Sequence, residues 1–538
     1  MDRIKWQDTA EKISGKLTAE NGLLAAVFFL LVLIRCIGFG RIPGGFNQDG
    51  ALAAVDALSL AEYGTDHLGT RLPAHLEAWG YGQMSSLLSY LMVPFVRFWG
   101  LNPVTARLPM LLASLAGAAA LYGIVCKWYG KKAAIFALFF TALNPWHFMQ
   151  SRWALDCNLF PHMFLLGFLF LILGLEKKRY IYLSMIFFAL CMYSYGVSFY
   201  MVPIFLLAAC ALLLTAKAVD IRLILRAAGV YFLLAWPIYG TMFINFMKWD
   251  TVRLPFVTMQ YFENSVRSAD ILFFSGQPLT QLGINARAML RAAFLQKPDL
   301  IWNAIDRYGT MYLLTMPFVL LGIVVCGCRA VRGESLRKKL GHRLLLTYWV
   351  TCLLLGLFIN SVNVNRINVI FYSHILFAVI GILYLVRQVR LLLPAALVIY
   401  GIEGCLFLNT YFTVWNDQIS NYFYKDFLTA LDCAREYACD YYYITPNSQY
   451  QGSWHVSRVL TWFEMEVDAR YIQGETNEWM GAPIAYNDRF HWRLPEDWEI
   501  SADRRVCYVM EQSQLYRFYS GGFVIQDCGD YFVAVPAD

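Results

Sequence analysis

Three carboxylates and two guanidiniums stand out in an otherwise apolar chain. Asp49 lies in "FNQDGA" (46–51), Glu77 in "PAHLEAWGYGQ" (73–83) and Asp156 in "SRWALDCNLF" (151–160), while Arg152 precedes Asp156 by four positions and Arg366 lies in "NSVNVNRINVIFYSH" (360–374). Carboxylates of this kind can exchange protons or hold a cation, and an arginine offers paired donors that match an anion such as phosphate. Ionisable groups beside a membrane are costly unless they are solvated, paired or useful. Plainer readings stand beside the chemical one. Asp49 can be a loop carboxylate, Asp156 a helix cap, Arg152 its i,i+4 partner, and Arg366 a snorkelling helix-end residue. His75, His147 and His374 are single histidines without metal-ligand spacing, read as interfacial polar residues unless they line the same cavity. "CGC" at 326–328 lacks the second pair that a zinc site needs.

The elements that must position these residues are membrane helices. Of 538 residues, 58% are hydrophobic and 15% charged, too apolar for a soluble domain of this length. Runs such as 22–40 and 158–175 approach the ~20 residues needed to cross a bilayer. The first run is long, lacks a clear small-residue cleavage pattern and is followed by many more, so it reads as a retained helix. The tail from 412 holds 19 acidic and 9 basic residues, and the preceding part 19 acidic and 35 basic. The bases are scattered over short loops and form no basic aromatic face, which argues against a nucleic-acid partner.

Short basic loops favour the cytoplasm. If the N-terminus and the loops at 127–132, 176–179, 217–226, 328–343 and 386–390 share one side, each interval between them holds an even number of spans. The first interval holds three apolar runs. The run 84–99, the shortest and interrupted by Pro94 and Arg97, is therefore assigned with the 50–63 helix to the outer interface. This predicts an all-α polytopic membrane protein of about 11 transmembrane helices (residues 1–411), with loops 41–102, 147–157, 248–306 and 362–366 outside. Asp49, Glu77, Asp156, Arg152 and Arg366 then share one face. Residues 412–538 read as a small extracytoplasmic α/β or α+β domain. Its four cysteines, Cys433, Cys439, Cys507 and Cys528, either pair or remain buried thiols. The 248–306 loop reads either as a lid or as a plain interfacial helix pair. Asp56 is given no role beyond the solvated side of its helix. No Walker motif, dinucleotide fingerprint or nucleophile elbow is present.

This pattern resembles the GT-C superfamily of integral-membrane glycosyltransferases, in particular the branch of protein O-mannosyltransferases and lipid A aminoarabinose transferases. The resemblance is carried by the Asp after the first span ("FNQDGA"), the long first outer loop, the run "NPVTARLPMLLASLAGAAALYGIVCKWYGKKAAIFALFFTALNPWHFMQSRWALD", and the late Arg in "NVNRIN". It covers residues 20 to about 180 well and 340–390 loosely. One departure is plain: the mannosyltransferases have Glu after the first-loop Asp, and Gly50 stands here. The resemblance implies an inverting transfer from a polyprenyl-phosphate sugar to a hydroxyl acceptor at the extracytoplasmic face of the cell membrane. It implies Asp49 as general base, with Asp156 and Glu77 as further catalytic carboxylates. Arg152 and Arg366 would bind the lipid phosphate, and His75 and Gln83 the substrate. A divalent cation on Asp49, Glu77 and Asp156 is compatible with it, although three spaced carboxylates do not demonstrate one. The partners would be membrane lipid, the lipid-linked sugar and a glycan or protein acceptor. Two other readings compete: a lipid-linked glycan flippase, which would call for inverted repeats that the sequence lacks, and a non-catalytic envelope-assembly protein acting through its tail.

Overall fold

The computed structural model describes residues 19–537, apart from 81, 264–271, 273–275, 298, 334, 448–451, 480, 502–504 and 520–521. The first helix, α1 (Ala19–Cys36), leads into a long loop containing α2 (Gln48–Tyr63), the hairpin β1 (Leu76–Ala78) and β2 (Gly82–Met84), and α3 (Leu87–Trp99). There follow α4 (Pro103–Tyr129), α5 (Lys131–Ala142), α6 (Pro145–Gln150), α7 (Asp156–Gly174), α8 (Arg179–Cys191), α9 (Ser198–Thr215) and α10 (Ile221–Met247). A second long loop carries the hairpin β3 (Val252–Leu254) and β4 (Val257–Met259) and then α11 (Pro278–Met289). The helical part closes with α12 (Met316–Arg332), α13 (Leu336–Phe358), α14 (Val364–Ile367), α15 (Ile370–Gln388), α16 (Leu392–Thr410) and α17 (Asn416–Tyr422).

Among the described residues, nine helices are long and apolar enough to cross a membrane. Two of the eleven expected spans are shorter. The run 133–147 is split, because Asn144 stops α5 and its side chain accepts from the His147 amide to start α6. The 12 residues of α5 rise only about 18 Å. The run 180–196 gives the 13-residue α8, which ends at Cys191 in a series of turns. The apolar 84–99 run is also a helix of 13 residues, about 20 Å long and short of a ~30 Å hydrocarbon core. Local chemistry sets the ends of the longer helices. At α4 the Asn102 side chain accepts from the amides of Val104 and Thr105, and Pro103 sits where no amide partner is needed.

Where α12 and α15 cross, glycine is required. A Cβ on Gly322 would lie 1.8 Å from the Phe377 carbonyl oxygen, and one on Gly381 would lie 2.2 Å from that of Phe318. The two backbones touch, as small residues permit in apolar surroundings. This contact fixes how α12 and α15 cross.

The tail adds α18 (Lys425–Glu436), β5 (Tyr441–Ile444), α19 (Trp454–Glu464), α20 (Ala469–Ile472), β6 (Glu478–Trp479), β7 (Ala482–Pro483), α21 (Tyr486–Arg489), β8 (Phe490–His491), β9 (Val506–Glu511), β10 (Phe523–Asp527) and β11 (Tyr531–Pro536). Five strands form one mixed sheet in the order β10-β11-β9-β5-β8, with β5 parallel to both its neighbours. The expected boundary at 412 falls inside a helical run from Leu392 to Tyr422. One apolar core continues from the membrane helices into the tail. In it the Phe46 ring stacks on Phe463 of α19, with centroids 4.6 Å apart.

Gly322→Val or Gly381→Val should lower the Tm of the detergent-solubilised protein by several degrees, since overpacking forces the helix pair apart. Gly229→Val, whose Cβ would meet nothing within 4 Å, should leave it unchanged. Unaltered Tm in all three variants would contradict the backbone contact.

Candidate functional site

The site begins with the segment that carries the chain from α1 to Asp49. Residues 37–47 contain four glycines and leave several carbonyls pointing inward, where each needs a donor. Two fully buried arginines supply them. Arg152 donates to the carbonyls of Arg35 (2.5 Å), Ile37 (2.7 Å) and Ile42 (2.9 Å). Its guanidinium also lies over the rings of Phe148, Tyr411 and Phe412. Arg107 donates to Gly40 (3.0 Å) and Gly45 (2.6 Å) and covers the Phe46 ring at 5.0 Å. The tail closes the segment from the other side. The Phe46 amide donates to the Phe423 carbonyl (2.7 Å), and the Gly44 amide to Asn416 Oδ1 (2.8 Å). Gly45 has φ +74° and a Cβ there would strike the Phe423 carbonyl oxygen at 2.1 Å, so both its conformation and its surroundings demand glycine.

A third buried arginine anchors the end of α1. Arg35 donates to the Leu31 and Ala142 carbonyls and to His147 Nδ1 (2.8 Å). A guanidinium can only donate, so Nδ1 accepts and His147 carries its proton on Nε2. That proton goes to the Tyr372 hydroxyl (3.0 Å), which in turn donates to His162 Nδ1 (2.8 Å). The interfacial reading of His147 and His374 is corrected here, because both are fully buried among packed helices. His374 accepts from Trp349 Nε1 at 3.2 Å.

Asp49 stands in the first turn of α2. Asn47 caps the helix, accepting from the Gly50 amide and donating to the Ala154 carbonyl (3.1 Å), which docks the turn onto the segment before Asp156. Gly50 is forced here: its Cβ would lie 2.6 Å from the Ala154 carbonyl oxygen. A glutamate at position 50 would not fit, which accounts for the glycine in this chain. Asp49 Oδ1 accepts from Trp79 Nε1 at 2.5 Å. The carboxylate lines a cavity of about 210 Å³ with Gln48, Trp153, Trp302, Asn365 and Tyr422 among its walls. Two polar atoms of this wall, Trp153 Nε1 and Asn365 Oδ1, are buried and have no protein partner among the described residues. Such atoms cost about 1–3 kcal/mol each when left unmade, so they are suited to a polar ligand.

The other expected residues are placed as follows. Asp156 is the first residue of α7, and its Oδ1 accepts from the Cys157 amide (2.7 Å). Its charge and that of Asp49 both reach the Cys157 thiol. Glu77 is exposed on β1, directly opposite Gln83 on β2. His75 is buried with the rings of Phe199 and Phe262 each 6.1 Å away. Arg366 is half-buried, donates to the Asn360 carbonyl (2.8 Å) and adjoins Asn365 in the cavity wall. Arg152 departs from its expected part: its hydrogen bonds go to main-chain carbonyls, which is the geometry of a clamp and not of a phosphate ligand. The carboxylates Asp49, Glu77 and Asp156 do not gather into an ion site. Among the described residues, no group of three or more His, Cys, Asp and Glu could hold a metal.

Sequence reasoning missed Trp79, Trp153, Trp302, Asn365 and Tyr422. Arg107 stood in the quoted "ARLP" run, where a basic residue inside an apolar helix was a usable signal. A polar cluster beside the site was missed as well. Asp56 is fully buried, not solvated, and its Oδ1 accepts from the His67 amide (2.9 Å) and lies 2.7 Å from His67 Nδ1. Asp66 accepts from the amides of Leu68 and Thr70. The tail caps this cluster: Gln473 donates to the carbonyls of Asp66 and His67, and Trp462 lies against the His67 ring. Burial, then the Asp56 charge, pushes Asp66 up to about 6. Burial alone would lower His67, but Asp56, Asp66 and Glu77 together hold it above its usual value.

Both groups bind protons more tightly in the fold than in the unfolded chain. Their stabilisation is therefore complete below the unfolded values and is lost as pH rises, for Asp66 between about 4 and 6 and for His67 above about 6.5. The Tm should fall between pH 6 and pH 9, and His67→Gln should flatten that slope. An unchanged slope in the variant would contradict the assignment.

Over residues 85–240 the sequence matches the family model for dolichyl-phosphate-mannose-protein mannosyltransferase. No curated protein matches the chain by sequence. Among solved structures, ArnT from Cupriavidus metallidurans bound to undecaprenyl phosphate is similar with a TM-score of 0.57 at 10% identity, over 96% of this chain and 98% of that one. The archaeal oligosaccharyltransferase AglB from Archaeoglobus fulgidus, in complex with an inhibitory peptide and a dolichol-phosphate, gives 0.51 at 13% identity over 96% and 74%. A second structure of the Archaeoglobus fulgidus enzyme, with Zn and sulfate, gives 0.53 at 12% identity over 96% and 73%. This chain is a multi-pass membrane protein with the fold of the GT-C superfamily of glycosyltransferases.

Proposed function

We propose that this chain transfers a sugar, with inversion, from a polyprenyl-phosphate donor to a hydroxyl acceptor at the extracytoplasmic face of the cell membrane. The observation that carries the reading is the Asp49 cavity, where a carboxylate faces aromatic rings and buried amide and indole groups that have no protein partner among the described residues. Sugars present apolar C–H faces and a ring of hydroxyls, and the walls offer both complements: Trp302 and Tyr422 for the faces, Gln48, Asn365 and the Trp153 N–H for the hydroxyls. The structurally similar ArnT and AglB are bound to undecaprenyl phosphate and dolichol-phosphate respectively, which supports a lipid-phosphate donor here.

A hydroxyl is a poor nucleophile, and a carboxylate within hydrogen-bond reach takes its proton as it attacks the anomeric carbon. Asp49 is that base. The Trp79 N–H holds one oxygen of the carboxylate and so fixes its plane toward the cavity where the acceptor enters. As the glycosidic bond breaks, charge develops on the lipid phosphate, and a fixed cation there lowers the barrier. Arg366, half-buried beside Asn365, supplies it. Arg107 and Arg152 act through the 37–47 segment as positioning residues. Asp156 adds a second negative charge near the site, and Glu77 with Gln83, on the hairpin that carries Trp79, is available to the acceptor. His75 packs that hairpin against its aromatic neighbours. The acceptor class comprises protein hydroxyls, wall polymers and lipid-linked glycans.

In proteoliposomes supplied with a polyprenyl-phosphate hexose and acceptor, Asp49→Asn should lower kcat by about 10²–10⁴-fold, the range of a general base, with little change in donor KM. Full activity in this variant would sink the base assignment. Arg366→Ala should instead weaken both donor binding and turnover, and an Arg366→Ala enzyme with wild-type kinetics would remove it from the phosphate role.

A further inference from the structure

The chain has thirteen cysteines, and the last four, far apart in sequence, meet in space. Cys433 lies on α18 and Cys528 in the turn between β10 and β11, 95 residues away, with their Sγ atoms 3.6 Å apart. Cys439 stands just before β5 and Cys507 on β9, on parallel strands whose register pairs Tyr441 with Val506 and Tyr442 with Cys507. The two thiols adjoin each other. The other nine cysteines are in the helical part of the chain. A shared metal does not account for the grouping, because among the described residues no three or more such side chains could hold one.

We propose that the tail carries two disulfides, Cys433–Cys528 and Cys439–Cys507. The proposal rests on the extracytoplasmic placement argued above, since such bonds persist in oxidising compartments. The thiols are already arranged for the chemistry. The adjoining Cys507, with the nearby Arg505 and Arg489 cations, holds Cys439 below its usual value against the opposing effect of burial, which favours its thiolate. The oxidant is a disulfide-bearing thiol oxidoreductase. A tail thiolate attacks one of its sulfurs to form a mixed disulfide, and the second tail thiol then displaces it. For each bond formed, two S–H bonds are lost, and the two electrons with two protons pass to the oxidoreductase, whose disulfide becomes a dithiol.

The bonds would fix two parts of the tail that bear on the site. Cys433–Cys528 ties α18 to the sheet edge, and α18 follows directly on Phe423, whose carbonyl holds the Phe46 amide. Cys439–Cys507 ties the start of β5 to the middle strand of the sheet, next to the Cys439 carbonyl that accepts from buried Arg489 (2.7 Å).

The test uses the full chain, solubilised from membranes without reductant, alkylated at once and mapped by mass spectrometry. The expected result is two cross-linked peptide pairs, Cys433 with Cys528 and Cys439 with Cys507, with no alkyl label on any of the four until a reductant is added. Four alkylated thiols, or pairs joined in another order, would overturn the proposal. A second arm reads the side of the membrane separately. Tyr516, 66% exposed, is changed to cysteine (Y516C) and treated with an impermeant maleimide on intact cells. Labelling there together with four free tail thiols overturns the disulfides and leaves the extracytoplasmic placement standing. Labelling only after permeabilisation overturns the placement, and the disulfides with it.

Discussion

The site depends on how an irregular, glycine-rich segment is held beside a membrane helix. Its carbonyls cannot be left unpaired in an apolar interior. Arg107 and Arg152 resolve this by reaching from α4 and from the turn after α6 to bind six carbonyls between them, four in the segment and two at the end of α1. Arginine suits the task better than lysine: its planar fork satisfies several acceptors in fixed directions and tolerates the aromatic rings packed on its face. With Arg35, three desolvated cations then share one neighbourhood, and their cost is offset by carbonyl dipoles and the π-faces of Phe46, Phe148 and Tyr411. This clamp carries the chain to Asn47, which caps the helix that bears Asp49.

The tail is the second half of the frame. Asn416 and the Phe423 carbonyl complete the hydrogen bonds of the 44–46 segment, Phe463 stacks on Phe46, and Gln473 and Trp462 cover the Asp56–His67–Asp66 cluster. A cavity wall is therefore shared among the first long loop, the segment at 300–302, the 365 loop and the start of the tail. Loops far apart in sequence are brought to one place by helices that cross closely, as at Gly322 and Gly381. Function concentrates on such loops because the rigid helices beneath them fix their geometry.

Much of this was legible in the sequence. Apolar runs separated by basic loops pointed to the membrane class, and the odd count in the first interval led to 84–99 being read as a non-spanning run; it is a helix of 13 residues. Asp49 stood out because a carboxylate follows so closely on an apolar run. What the sequence could not reveal is where the charges of arginines go. Arg152 and Asp156, four apart, look like a helix pair, yet the chain turns between them and Arg152 looks back toward α1. Asp56 has a helical position that reads as solvated, but it is fully buried, beneath a cover that includes Trp462 from the distant tail. Trp302 in its loop and Asn365 on the short α14 carry no signal until long-range packing sets them in the same cavity wall as Asp49. The helices Lys131–Ala142 and Pro145–Gln150 likewise read as one span, since only the cap at Asn144 divides them.

That the Asp49 cavity receives the sugar of a lipid-phosphate donor is tested most directly by a cryo-EM structure of the protein in nanodiscs with a non-hydrolysable polyprenyl-phosphonate sugar. The sugar ring is expected between Trp302 and Asn365, its anomeric carbon toward Asp49 and the phosphonate at Arg366. Sugar density outside this cavity, for example on the exposed Glu77 face of the hairpin, would contradict it.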